Sequence, residues 1–270
     1  MLNIISRIRS SVSEENPLVH CITNPISINQ CANAILATGA KPIMAEHPME
    51  VAEITKNANA LVLNLGNITD VRMKSMLISS AIANENDIPV VFDLVGIACS
   101  DLRRNFAHKL VENNKMALIK GNYSEINALY NSAYKSAGVD GDSSLGVDDI
   151  EKVSVKLALK YNTMILASGK TDIITDGKKI LHVKNGVPEL AKVTGTGCML
   201  GALCGCYLSV FNNMDAVVTS CAVLGICGEI SVTDKGYGSY VVNLIDNLSV
   251  LSQKNIMEKL KIEVREVEEY

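Results

Sequence analysis

Residues 193–198, Val193-Thr194-Gly195-Thr196-Gly197-Cys198, place two glycines around a threonine just ahead of a long apolar run. That run reads as a helix beginning at about Cys198. Glycine lets a backbone approach an anion closely. Amides at a helix start, carrying about half a unit of positive charge, suit a phosphate in transfer. The same G-x-G spacing also makes a tight turn and helix cap, so the loop alone leaves both readings open. Cys198 adds a thiol where a helix N-terminus can lower its pKa. Gly169-Lys170-Thr171 suggests a P-loop, but the first glycine of G-x-x-x-x-G-K-[ST] would fall at Met164, which excludes it.

These residues need a frame. Short apolar runs at 17–23, 60–66, 88–95, 117–120 and 162–168 read as strands, continuous rather than alternating. Parallel strands covered on both faces look like this. Amphipathic stretches at 28–38, 48–57, 70–84, 101–113, 124–135 and 147–161 read as helices between them. Residues 170–186 read as a hairpin turning near Asp176-Gly177, and the last third, from Met199, as mostly helical. The alternation predicts an α/β fold with a central, mainly parallel sheet flanked by helices. No linker or repeat divides the chain, so residues 1–270 are expected to form a single domain.

In such sheets ligands bind beyond the carboxyl ends of the strands. Polar residues follow one strand after another: Thr23-Asn24, Asn64-Leu65-Gly66, Asp93, Lys120-Gly121-Asn122, and Ser168-Gly169. One such loop is ordinary, but five in a row point to a site at that rim. Taken singly, Asp93 also reads as a strand-end turn residue and Glu125 as a first-turn helix acid, and Met44 as core.

Composition narrows the partners. Trp is absent and aromatics are scarce, so no platform for stacking nucleic-acid bases is evident. A net charge of −4 without a Lys/Arg run speaks against nucleic acid or an acidic membrane surface. No apolar stretch reaches the roughly 20 residues a membrane span needs. The most apolar region is interrupted by Gly201, Gly205, Asn212, Asp215 and Gly228, and reads as a buried helix pair. Arg7 and Arg9 are followed by no apolar core, so no secretory signal is expected. None of the eight cysteines forms a C-x-x-C pair. Apart from Cys198, they read as buried apolar residues of a reduced, cytoplasmic protein.

The chain resembles the hydroxyethylthiazole kinases. His20-Cys21-Ile22-Thr23-Asn24, Asn29, Ala32-Asn33, Gly39-Ala40 and Pro42-Ile43-Met44-Ala45 match the family's opening block. Asn64-Leu65-Gly66, Phe92-Asp93-Leu94-Val95-Gly96, the stretch from Lys120 to Ile126 and Thr175-Asp176-Gly177 continue in family order. Asn185-Gly186, the 193–198 loop with Leu200-Gly201-Ala202, and Gly236-Tyr237-Gly238-Ser239-Tyr240 complete the match. Each block is modest, but their ordered coincidence over nearly the whole chain is specific.

The resemblance implies a ribokinase-like fold and the phosphorylation of 4-methyl-5-(2-hydroxyethyl)thiazole by ATP with Mg²⁺, feeding thiamine salvage. It implies a homotrimer with active sites between subunits. Met44 and Gly195 match substrate-contacting positions, and Asn24 sits in the opening block near the substrate and nucleotide. Lys120 and Ser168 match ATP-contacting positions, with Thr194 and Gly197 of the glycine loop beside the nucleotide. Asp93 and Glu125 match the acidic positions near the metal and phosphates. Cys198 is the implied catalytic position, where the wider superfamily carries Asp. Such chemistry needs mostly positioning and charge neutralisation, so Cys198 is expected to position the hydroxyl and to assist only modestly.

There are departures. Asp93-Leu94-Val95-Gly96 stands for Asp-Pro-Val-Gly, Lys120 for a common Arg, and Ser168 for a common Thr. His47 and Pro48 are less typical of the substrate rim. The competing readings are a related kinase for a pyrimidine or sugar alcohol, a non-catalytic nucleotide-binding regulator, and a hydro-lyase that repairs nicotinamide cofactors. The first and third tend to carry Asp at the Cys198 position. The regulator would be expected to lose Asp93, Glu125 or the glycine loop.

Overall fold

The computed structural model describes residues 1–136 and 145–267. Its strands are β1 (Leu18–Ile22), β2 (Lys41–Ile43), β3 (Ala60–Asn64), β4 (Val90–Asp93), β5 (Leu118–Asn122), β6 (Met164–Ser168), β7 (Asp172–Thr175), β8 (Lys179–Val183) and β9 (Ile262–Glu266). Helices α1 (Leu2–Glu15), α2 (Ile28–Ala37), α3 (Val51–Lys56), α4 (Asp70–Glu85), α5 (Asp101–Asn113), α6 (Tyr123–Tyr130) and α7 (Val147–Tyr161) intervene among the first six strands. After β8 come α8 (Pro188–Ala191), α9 (Thr196–Leu208), α10 (Met214–Ile230), α11 (Tyr237–Val250) and α12 (Gln253–Lys259).

The strands form one sheet in the order β2-β1-β3-β4-β5-β6-β7-β8-β9. The pairs from β2 to β6 are parallel, and those from β6 to β9 antiparallel. The chain leaves β1 toward β2 on one side and returns to β3 on the other, so the strand order reverses beside β1. Such a switch point opens a crevice at the carboxyl ends of the strands.

Both sheet faces are covered, as the continuous apolar strands predicted. Every residue of β3 is buried. Ala60 and Val62 pack with α1, α2, α9 and α10 on one face, whereas Leu61 and Leu63 pack with α4, α5, α6 and α7 on the other. Helix α9 lies very close to the sheet. A methyl group on Gly205 would fall 2.4 Å from a Val62 methyl, a contact no side chain tolerates, so Gly205 fixes how near α9 can come.

The five predicted strands and the 170–186 hairpin are present. Four elements were not anticipated, the four-residue helix α8 among them. In α1, Ile5, Ile8 and Val12 form a helical stripe that packs into the core. Strand β2 has only three residues, and contains Pro42, which the sheet edge tolerates. Strand β9 ends the described chain at the opposite edge, where the last third was expected to be mostly helical. Helix α6 stops at Tyr130 rather than 135, and α3 begins at Val51 rather than 48. Helix α9 begins at Thr196, two residues before Cys198, because Gly195 takes φ +88° and turns the chain into the helix. Among the described residues no helix is long and apolar enough to cross a membrane.

Candidate active site

Four strand ends meet where the polar rim was expected. Asp93 is the last residue of β4 and pairs in register with Asn64 on β3 and Lys120 on β5. This alignment places an amide, a carboxylate and an ammonium side by side. Lys120 Nζ donates to Asp93 Oδ1 at 2.9 Å, with both side chains almost wholly buried. Asn64 Nδ2 donates to Asp93 Oδ2 at 2.9 Å.

Helix α9 points its N-terminus at this group. Its first backbone bond runs from Met199 N to Gly195 O, and no side chain caps it. The amides of Thr196, Gly197 and Cys198 therefore have no intrahelical partner. The glycine loop lies over the lysine: a methyl on Gly197 would sit 3.8 Å from Lys120 Nζ. Gly195 packs on the loop after β1, where a methyl would come 3.0 Å from Ser27 Cβ. Thr194 is exposed just ahead of the helix. Of the two readings of 193–198, the geometry favours a bare helix start over a buried charge pair.

Cys198 Sγ receives Asn64 Nδ2 at 3.3 Å and Asn24 Nδ2 at 3.4 Å. Burial pushes this thiol up from its ordinary pKa, and the Asp93 charge adds to the shift, while Lys120 opposes it. Desolvation of the thiolate is the largest influence and outweighs the groups that favour it. At neutral pH Cys198 is a thiol.

Glu125 is buried at the start of α6 and both its oxygens accept backbone amides, from Gly96 and Asn122, at 2.8 Å each. Asn122 and Glu125 form a capping box, so the helix-acid reading is correct as local structure. Burial, with the nearby Asp93 charge, raises Glu125 to about 7. Burial also raises Asp93, and Lys120 and Asn64 partly restore its ionised form. Burial works against the Lys120 charge too, but Asp93, with Cys198 and Glu125, outweighs it and keeps the ammonium protonated.

Ser168 ends β6 opposite Asn122 and donates to Gly121 O at 3.3 Å, which keeps it on the same rim, one strand from Lys120. Met44 lies past β2 and packs half-buried against the core. Its neighbour Ala45 is held by the buried His20 ring, whose Nε2 lies 2.9 Å from the Ala45 carbonyl. The structure thus joins Asn24, Asp93, Lys120 and Cys198 by direct contacts and sets Gly195, Gly197 and Glu125 around them. Met44, Ser168 and Thr194 lie further along the rim. The link in the middle is Asn64, which sequence reading left among the rim residues. Its signal was a polar residue closing an otherwise wholly apolar strand.

The arrangement suits an anion in transfer. It offers one buried ammonium, three amides and the positive end of a helix, beside two carboxylates. Among the described residues no three His, Cys, Asp or Glu side chains gather to hold a metal by themselves. Magnesium does not require that, since it takes one or two carboxylates and completes its shell with phosphate oxygens and water.

Comparison with known proteins agrees. The model of the hydroxyethylthiazole kinase family matches residues 9–254. Hydroxyethylthiazole kinase 2 of Clostridium botulinum is 46% identical over 261 residues, 95% of this chain and 98% of its own. The hydroxyethylthiazole kinase of Finegoldia magna is 40% identical, covering 96% of each chain. The structure of hydroxyethylthiazole kinase protein from Pyrococcus horikoshii superposes with a TM-score of 0.90 at 32% identity, over 98% of this chain and 100% of that one. A ribokinase-like superfamily protein from Enterococcus faecalis, 11% identical, shares the fold with a TM-score of 0.67 over 95% of each chain.

Proposed function

The chain belongs to the hydroxyethylthiazole kinase family, and from that premise we propose that it transfers the γ-phosphoryl group of ATP, with Mg²⁺, to the hydroxyl of 4-methyl-5-(2-hydroxyethyl)thiazole. Membership makes it a phosphotransferase with an alcohol acceptor. The observation that carries the reading is the buried Lys120–Asp93 pair beneath the uncapped start of α9, with Cys198 on the first turn.

The residues fit a magnesium ion. Asp93 and Glu125 bring two buried carboxyls against one buried lysine; burial raises both, and the Asp93 charge raises Glu125 further. That surplus of negative charge is relieved by a divalent cation, which would neutralise phosphate charge when bound. Asp93 and Glu125 are the groups that would hold it, directly or through water.

Lys120 is a fixed point charge for the phosphates of ATP, with Ser168, Thr194 and Gly197 along the nucleotide side of the rim. The amides of Thr196, Gly197 and Cys198 receive the oxygens of the group in flight, in a site where pre-aimed donors are worth more than in water. Met44, Asn24 and Gly195 border the alcohol. Cys198 keeps its proton and orients the hydroxyl. As the alcohol O–P bond forms and the bond to ADP breaks, a loose transition state lets the alcohol pass its proton to a phosphate oxygen or water, so little base strength is demanded of the thiol.

The functional unit is a homotrimer of single-domain, cytoplasmic subunits with sites completed by neighbours. Ile26 and Met49, 61% and 89% exposed, stand close in sequence to Asn24 and Met44 and support a covering neighbour. Light scattering reads this directly: a fully active monomer would remove it. For function, the protein is incubated with ATP, Mg²⁺ and the thiazole alcohol, and ADP and the phosphorylated product are followed by mass spectrometry. A hydroxymethylpyrimidine, a sugar panel and a no-alcohol sample run beside it. Thiazole phosphate formed in step with ADP is expected. ADP formed only with another alcohol would move the substrate, and no turnover from folded, ATP-binding protein would end the kinase reading.

A further inference from the structure

Asn64 makes four polar contacts through one carboxamide. Its Oδ1 accepts Gly66 N at 2.8 Å and Asn24 Nδ2 at 3.0 Å. Its Nδ2 donates to Asp93 Oδ2 at 2.9 Å and to Cys198 Sγ at 3.3 Å. Asn24 is anchored in the same sense, since its Oδ1 accepts the backbone amides of Ile26 and Ser27 at 3.1 Å each. Backbone N–H groups can only donate, so they force both amide oxygens toward the main chain. All four amide hydrogens must then point inward, two at Cys198 Sγ, one at Asp93 and one from Asn24 to Asn64. Neither carboxamide can flip without turning an N–H against an N–H.

We infer that Asn64 is a positioning residue for phosphoryl transfer, a two-way clamp that sets the Cys198 thiol and the Asp93 carboxylate relative to one another. The clamp makes the sulfur an acceptor toward both amides, which turns its own hydrogen away from them. It also occupies Asp93 Oδ2, which leaves Oδ1 to face Lys120. Asn64 is only 2% exposed, so the clamp is rigid and is not replaced by water. Its role in turnover rests on the kinase reading above, whereas the clamp itself is a matter of geometry.

Asn64→Asp has almost the same shape, keeps the acceptor for Gly66 and Asn24, and replaces the two donated hydrogens with a carboxyl oxygen facing Asp93 and Cys198. Asn64→Ala removes the carboxamide without adding charge and guards against a variant that fails to fold. Each is measured alone and with Cys198→Ala. With wild-type Cys198, Asn64→Asp is expected to lower kcat about a hundredfold, with KM for ATP and alcohol changed less than about threefold. In the Cys198→Ala background the further loss is expected to shrink to about tenfold, because neighbours that act together do not add. Equal fold-losses in both backgrounds would show that Asn64 does not act through the thiol, and would overturn the clamp. So would a loss confined to KM.

A second measurement needs no activity. In protein labelled with ¹⁵N-asparagine, the Asn64 and Asn24 side-chain amides should exchange slowly and shift together on Cys198→Ala, while the exposed Asn86 amide stays put. Unmoved Asn64 and Asn24 signals would refute the clamp. Shifted signals in a wild-type protein that phosphorylates no alcohol would preserve the clamp and refute the kinase reading.

Discussion

Two groups of charged side chains stabilise different parts of the sheet, and their charge balance separates them. In the parallel half, Asp93, Glu125 and Lys120 are all buried, with two carboxyls against one ammonium. At the antiparallel edge, Glu151 on α7 meets His182 on β8 at 2.8 Å and Arg265 on β9 at 3.2 Å. Arg265 also reaches Glu263 at 3.3 Å and is 41% exposed, so water shares its charge. Burial lowers His182, with Glu151 opposing. The edge group is a latch, in which partners and solvent meet each charge. The central group holds more carboxyls than ammoniums next to an uncapped helix, burial raises both carboxyls, and an added cation would offset the imbalance. Unbalanced burial, rather than burial of charge as such, marks the site.

The sharpest way to break this contrast is to remove the one central cation. Lys120→Met leaves Asp93 and Glu125 buried without a counter-charge, and deleting one partner of a buried pair costs about 3–5 kcal/mol. The loss of a fixed phosphate charge is expected to lower kcat by about a thousandfold, the upper end for a single pre-aimed donor. Steady-state kinetics and urea unfolding check the two arms. Near-normal kcat in a folded Lys120→Met protein would remove Lys120 from the phosphate path.

Cys198→Ala comes next and sharpens the comparison inside the site. A thiol that positions the hydroxyl through a hydrogen bond is worth about tenfold in kcat, whereas a general base is worth about 10²–10⁴. Turnover is therefore expected to remain easily measurable. A complete loss with ATP binding intact would make the thiol the base.

Between the two regions lies Asp172 at the start of β7. It accepts Gly169 N at 3.0 Å, and burial raises its pKa from 3.8 to about 6. A carboxyl raised on folding binds its proton more tightly in the native state. The stability it offers is complete below about 4, falls as pH rises toward about 6, and is absent above. Asp172→Asn keeps an acceptor for Gly169 and cannot ionise. At pH 8 it is expected to be more stable than wild type, by up to about 3 kcal/mol for a shift of some two units. The advantage should fade by pH 4. Urea unfolding at the two pH values reads this, and a gap that is the same at both would show that the carboxyl is not raised.

Much of the frame was legible because parallel strands and their rim have a plain grammar. Continuous apolar runs ending in Asn64, Asp93 and Lys120-Gly121-Asn122 announced both the covered sheet and the chemistry at its carboxyl edge. What could not be read is register. Nothing in the sequence says that residues 64, 93 and 120 end level with one another, and the Asn64 clamp exists only because they do. The state of the Cys198 thiol was open in the sequence for a related reason. A helix N-terminus is visible in sequence, but the depth of burial that outweighs it is not. The edges were missed because short strands draw their stability from pairing, and β2 and β9 carry little apolar pattern of their own.

The smallest expected effect tests the latch. Arg265 joins β9 to α7 and is open to water, so its ion pairs add little stability. Arg265→Gln retains a donor for Glu151 and removes the charge. It is expected to lower stability only slightly, in line with an exposed pair, and the deficit should shrink further in 1 M salt, where screening acts within about 3 Å. Thiazole phosphorylation should be unchanged, because β9 lies four strands from the Lys120 strand in the sheet order. The measurement is a pair of urea curves at low and high salt beside one kinetic assay. A loss of several kcal/mol would mean that Glu151, only 6% exposed, depends on Arg265 as Asp93 depends on Lys120. The two charge groups would then be alike in kind, and the imbalance at the centre would no longer be what sets the active site apart.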